Sequence, residues 1–278
     1  MAYDDVSIKI TAPRTMRLRH EEYFLTGKKP VEKDGRQYLE WTYRNSAPEK
    51  WTPAESGISQ VGDEPSLYVS TFDSYRQIAE LYGARAIPKA VVNDRIRALA
   101  SKITKTNDPP EAQARSIYNW VATNISYGGN CIGIGAVVPR DTNVILDNKM
   151  GDCKDHATLL QALLAAKNIA AEQALVNAGL QYQLPKTPVV SSINHVINYI
   201  PSMKLFVDST SSEMPFGMIP NLLGEKPVLL VSHYRDGMMI PSTSNYGHEQ
   251  IMKTTIRVNA DGSATGSSRI SLRGLPAI

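Results

Sequence analysis

Hydrophobic and polar positions along the chain fall into three textures. Up to about residue 72, short runs alternate with a period of two. Val6-Ser7-Ile8-Lys9-Ile10 and Tyr38-Leu39-Glu40-Trp41-Thr42-Tyr43 show the alternation, and Ser66-Leu67-Tyr68-Val69-Ser70-Thr71-Phe72 is rich in β-formers. The Asp-Gly pair in Lys33-Asp34-Gly35-Arg36 predicts a tight hairpin turn. Residues 1–73 therefore read as antiparallel β structure.

From about residue 74 the period changes to that of a helix. Val92, Ile96, Leu99 and Ile103 form one stripe. Asp108-Pro109-Pro110-Glu111 predicts the next helix start, with Asp108 as the cap. Its stripe is Ala114, Ile117, Tyr118, Val121, Ala122 and Ile125, and it ends at Tyr127-Gly128-Gly129. A Gly-rich loop of about 22 residues follows, long enough to be functional or mobile. A third helix is expected near Asp152 to Lys167. Beyond residue 171, Glu172 to Asn177, Ile193 to Ile200, Leu205 to Asp208, Val228 to Ser232 and Thr254 to Asn259 are candidate strands, and Asp261-Gly262 marks another hairpin. Helices followed by sheet argue an α+β fold. The division is a core at 74–215, with β segments 1–73 and 216–278 that have the option of folding together into one sandwich.

Composition narrows the class. A chain of 278 residues is roughly two domains' worth. A hydrophobic fraction of 42% with 21% charged residues excludes intrinsic disorder. The net charge of +3, from 30 basic against 27 acidic residues, gives no basis for a nucleic-acid partner. The longest apolar runs fall far short of the ~20 residues of a transmembrane segment. Two cysteines, Cys131 and Cys153, exclude a disulfide scaffold. The acidic start Met1-Ala2-Tyr3-Asp4-Asp5 lacks the features of a signal peptide. It fits a cytoplasmic protein and equally a periplasmic or secreted one whose leader has been removed. The strand-like Ser268 to Arg273 near the other end fits an excerpt of a longer chain. Oligomeric state is not legible.

The candidate chemistry centres on Cys153, in Met150-Gly151-Asp152-Cys153-Lys154-Asp155-His156. Asp152 can cap the helix, with Asp155 completing a capping-box-like pattern. Free N–H groups and the helix dipole then favour the thiolate, while the two aspartates oppose it. A small buried hydrophobe is the alternative role for such a cysteine. His20, His156, His195, His233 and His248 are the available bases. A hairpin centred on Pro201-Ser202 would set His195 directly opposite Asp208, side chains on one face; an odd-length loop would break that pairing. A carboxylate holding one imidazole nitrogen fixes the tautomer that a base needs. The alternative is an inconsequential surface His–Asp pair. His156, three residues after Cys153, raises zinc, but no spacing matches a zinc pattern, so no metal or other cofactor is expected. His156 itself reads as a helix-surface residue or one supporting the site from behind.

The run Val138-Pro139-Arg140-Asp141-Thr142 through Val144-Ile145-Leu146, followed by Gly151 to Leu160, resembles the nucleophile region of the bacterial transglutaminase-like superfamily. Asn194-His195-Val196 and Val207-Asp208-Ser209-Thr210 resemble its histidine and aspartate motifs, in the same order. The segment from Ile117 to Tyr127 is similar to the stretch upstream of the cysteine. The flanks resemble, more loosely, a subgroup carrying a sandwich domain of unassigned function (DUF3857). The resemblance implies a papain-like core, helices packed on an antiparallel sheet, with Cys153 as nucleophile, His195 as base and acid, and Asp208 as the orienting carboxylate. His156 departs from the lysine or other residue often found there. The Cys153 backbone N–H is the natural oxyanion donor. Trp120 and Tyr127 are candidates for a second donor, a core position being the alternative for Trp120, and Asp152 and Asn194 are candidates for support. The implied activity is acyl transfer through a thioester on peptide or side-chain amides of a peptide or protein substrate, with water (peptidase or amidase) or an amine (transglutaminase) as acceptor. The alternative is a non-catalytic peptide- or protein-binding module on the same fold.

Overall fold

The computed structural model describes residues 3–45, 60–129 and 132–274. Cys131 lies outside the described residues. The N-terminal zone forms the expected antiparallel strands: β1 (Tyr3–Pro13), β2 (Arg19–Tyr23), β3 (Thr26–Gly27), β4 (Val31–Lys33), β5 (Arg36–Asn45) and β6 (Ser66–Ser70). β5 is central, pairing with β1, β3 and β4, while β2 and β6 make a separate ladder. Asp34 and Gly35, between β4 and β5, both have positive φ (52° and 73°), which the two-residue hairpin turn requires. Trp41 of β5 is buried, and the His20 ring of β2 meets it edge-on at 5.3 Å, joining the two ladders.

Three helices follow. α1 (Tyr75–Ala86) and α2 (Asp94–Ile103) begin at Ser74 and Asn93, whose side chains accept the N–H of Gln77 and Ile96. α3 (Pro110–Asn124) starts one residue later than the sequence suggests: Pro109, not Asp108, holds the cap position. A residue before proline is pushed out of the helical region, so Pro109 must stay extended (ψ 155°) and the helix opens at Pro110. After β7 (Ser126–Tyr127), the expected long loop holds a helix of its own, α4 (Thr142–Asn148), with Thr142, Ile145 and Leu146 buried. Seven residues are too few for periodicity to reveal. β8 (Met150–Gly151) then leads into α5 (Cys153–Ala165).

The second half of the core is a four-stranded antiparallel sheet in the order β11-β10-β9-β12: β9 (Glu172–Val176), β10 (His195–Ile200), β11 (Leu205–Val207) and β12 (Leu229–Leu230). Helix α5 packs on β9 and β10, with α2, α3 and α4 around it. Leu159, Leu160, Leu163 and Leu164 of α5 are fully buried against Ile117, Tyr118 and Val121 of α3. The opposite sheet face, with Ala174, Val176, Ile197 and Phe206, is covered by Ile219, Leu223 and Ile240 of the C-terminal segment. α1 packs by β12, where Gly83 approaches so closely that a Cβ would lie 2.7 Å from Val231 Cγ1. The combination of helices and antiparallel sheets is the expected α+β fold. The last two strands, β13 (Glu249–Val258) and β14 (Ala264–Arg273), pair only with each other, and all their residues are exposed.

Leu163 sits at the centre of the helical layer with no exposed surface. Leu163→Ala is expected to lower unfolding free energy by about 2–5 kcal/mol, read from urea denaturation.

Candidate active site

The site is assembled where the start of α5 meets the start of β10. Cys153 is the first residue of α5 and is half-buried. A full capping box sets the helix start: Asp152 accepts the Asp155 N–H, and Asp155 accepts the Asp152 N–H at 3.2 Å. Asp155 does more than cap. Its carboxylate, 1% exposed, also accepts the Arg140 backbone N–H at 2.7 Å and the Arg140 guanidinium at 2.9 and 2.7 Å. Arg140 reaches on to the Met150 carbonyl at 2.9 Å. One buried charge thus ties the loop before α4, β8 and the Cys153 helix together. Gly151 is required here, because a Cβ would stand 2.6 Å from Asp155 Cβ. Lys154, also buried, pairs with Asp152, so the charge beside the thiol is balanced.

His195 opens β10, following a short 3₁₀ turn at Val190–Ser192 that shortens the strand expected from Ile193. Its Nε2 is 2.8 Å from Asp208 Oδ2. The hairpin register differs from the expected one. Pro201–Met203 make a 3₁₀ turn and Lys204 takes φ 51°, giving a four-residue connection with Asn198 opposite Val207. His195 and Asp208 are therefore diagonal neighbours rather than direct partners. A displacement of two residues preserves the alternation of faces, and diagonal side chains remain within reach.

Asp208 is held from several sides. Thr210 donates its N–H (3.1 Å) and hydroxyl (2.7 Å) to Oδ1. The buried Tyr118 hydroxyl donates to the Asp208 carbonyl at 2.7 Å and to the Met214 carbonyl at 2.8 Å. His156 Nδ1 lies 2.8 Å from the Ser209 carbonyl. His156 is 1% exposed, so it is an interior anchor rather than a helix-surface residue, and burial holds its pKa below the ordinary value. Tyr118 is a contributor that sequence reading placed only in the core stripe; nothing in its spacing separated it from a packing residue.

The electrostatics follow from these contacts. Burial alone would push the His195 imidazole down, but its hydrogen bonds to Asp208 and the Cys153 thiol, with their charges, raise it to about 10. Burial would raise Asp208, but His195 and Thr210 outweigh it and hold the carboxyl below the usual range. Burial, with the neighbouring Cys153, Asp152 and Asp208, pushes the Tyr127 hydroxyl up to about 12. Tyr127 arrives through the two-residue parallel ladder of β7 with β8, where it pairs with Gly151.

The remaining expected residues separate. Asn194 faces the cleft and accepts the Ala178 N–H at 2.7 Å, fixing the loop after β9. Trp120 is half-buried against the main helical core and does not line the cleft. The cleft beside the thiol has a volume of about 560 Å³ and is walled on one side by α1, through Ile78, Leu81 and Tyr82. Sequence reading missed that wall; residues 74–86 carried no chemistry-bearing motif. Among the described residues no cluster of three or more His, Cys, Asp or Glu is placed to hold a metal, and no helix is long and apolar enough to cross a membrane.

Residues 97–200 match the model of the Transglutaminase-like superfamily, which supports a domain of that superfamily at the centre of this chain. A solved structure of a candidate protease from Parabacteroides distasonis is similar over 86% of this chain and 45% of its own, at 18% identity and a TM-score of 0.65. This likeness speaks to the fold, and the present chain spans under half of that protein's length. A candidate cysteine protease from Cytophaga hutchinsonii aligns over 99% of this chain and 80% of its own, at 15% identity and a TM-score of 0.36, too low to bear on the fold. No curated protein sequence matches the chain.

In Asp208→Asn, the titration midpoint of His195, followed by imidazole C–H NMR, is expected to fall from about 10. Because His195 is raised on folding, its pairing with Asp208 stabilises the fold fully below about pH 6.5 and is lost as pH rises through the folded value. Asp208, which is lowered, contributes above about pH 4 and loses that contribution as pH falls through its depressed value. The stability difference between the natural protein and Asp208→Asn should thus be largest at about pH 4–6.5 and shrink on the alkaline side.

Proposed function

We propose that the protein is a cysteine-dependent acyl-transfer enzyme acting on peptide or side-chain amides. Cys153 is the nucleophile, His195 the general base and acid, and Asp208 the group that orients the imidazole. The observation that carries this reading is that His195, bonded to Asp208 at 2.8 Å, lines the same cleft as Cys153 at the start of its helix. A base held by a carboxylate and facing the same cleft as a thiol at a helix start is the arrangement that nucleophilic thiol chemistry needs. The match of residues 97–200 to the Transglutaminase-like superfamily supports it.

In this reading the imidazole holds the thiol proton while sulfur attacks the amide carbonyl. The tetrahedral oxyanion is stabilised by the Cys153 backbone N–H, aligned with the helix dipole. Collapse expels the amine, which takes the proton from His195 and leaves a thioester on Cys153. An acceptor, water or a primary amine, then gives its proton to His195 and attacks the thioester, releasing acid or a new amide. Tyr127, which lines the cleft beside Cys153, offers a hydroxyl as the second oxyanion donor.

The test is selective labelling by a thiol-directed electrophile. Cys153→Ala should abolish modification, His195→Ala should slow it by about 10²–10⁴-fold, and Cys131→Ala should leave it intact. Equal labelling of both cysteines, or labelling indifferent to His195, would overturn the assignment. Incubation with a peptide mixture, with and without a primary amine and read by product mass, distinguishes hydrolysis from transamidation. A protein that binds those peptides without converting them is a binding module instead.

A further inference from the structure

Resting on that reading, we infer that the acyl side of the substrate carries a bulky apolar side chain, seated between α1 and the segments on either side of the thiol. The cleft of about 560 Å³ beside Cys153 is larger than a simple amide requires, and within the range of a true ligand site. Its floor is apolar and buried, formed by Ile78 of α1, Leu175 of β9 and Val196 of β10. Its mouth is apolar and exposed: Leu81, Tyr127, Ile134, Val137 and Val190 all line it and all present large hydrophobic surface to solvent. Single exposed hydrophobic residues are ordinary, but five converging on one rim form a patch that an occupant would cover.

The charges agree. Asp152 and Lys154 at the thiol neutralise each other, and Asp208 is consumed by His195 and Thr210. The remaining lining cation is Arg85, one turn beyond Leu81, whose guanidinium donates to the Leu81 carbonyl at 2.7 Å. Among the described residues no lining carboxylate is left to receive a basic side chain, and an apolar floor penalises a polar one. The geometry selects residues such as Phe or Leu and discriminates against Lys and Ser. The α1 positions Ile78, Leu81 and Tyr82, at helical spacing, set that preference from outside the segment matching the superfamily.

Four peptidyl vinyl sulfones, identical except for Phe, Leu, Ser or Lys next to the electrophile, test this against iodoacetamide, which has no side chain to place. The Phe and Leu probes should modify Cys153 on the order of tenfold or more faster than the Ser and Lys probes. Leu81→Glu on one lip and Val190→Ser on the other should each narrow that ratio, with folding checked by thermal denaturation. Equal rates, a preference for Ser or Lys, or no labelling by any of the four overturns the substrate inference, provided that iodoacetamide labelling still depends on His195. If iodoacetamide labelling is indifferent to His195, the nucleophile assignment itself falls.

Discussion

The site depends on one buried carboxylate. Asp155 receives a backbone N–H from Arg140, two guanidinium bonds from the same residue, and the N–H of Asp152. A charge this deep persists only when it is paired and hydrogen-bonded, and here both carboxylate oxygens accept and the guanidinium supplies the opposite charge. The consequence is geometric. Three successive segments within residues 140–155 are forced to converge on the first turn of α5, and the thiol takes its position from that convergence.

A second layer of constraint holds the opposite side. Tyr118 fixes the backbone at Asp208 and His156 fixes it at Ser209, so the carboxylate that meets His195 stands on pinned main chain. Both anchors are buried side chains of helices, and both bond to carbonyls that would otherwise be left without partners in the interior. The helical layer is therefore not only a hydrophobic support for the sheet; it sets the separation between the imidazole and the acid. Packing and polar contacts act on the same few atoms.

Much of this was legible in the sequence. The stripe Ile117, Tyr118, Val121 and the capping residues Asp152 and Asp155 read correctly because local chemistry dictates them. The His195–Asp208 meeting was anticipated with the wrong register: the left-handed Lys204 lengthens the connection by two residues, and no residue pattern announces that conformation in a lysine. The outcome survived because face parity is insensitive to an even displacement. Helix α4 was hidden by its length, and the cap at Pro109 by the competing appeal of Asp108. Tyr118 looked like core because its ring is core; only its hydroxyl reveals the second role. Trp120 shows the reverse case, an aromatic near a motif for which donor and core roles were both open and which packs against the core.

Helix α1 lies before residue 97, yet it forms a wall of the cleft and seats itself through Gly83 on Val231. Under the proposed function, the reacting side chains and part of the surface that selects the substrate therefore have separate encodings along the chain. In that reading, replacing one twelve-residue helix redirects the proposed reaction to a different substrate while Cys153, His195 and Asp208 stay as they are. Any excision made at the superfamily boundaries would retain Cys153 and His195 while discarding α1 on one side and Asp208 on the other.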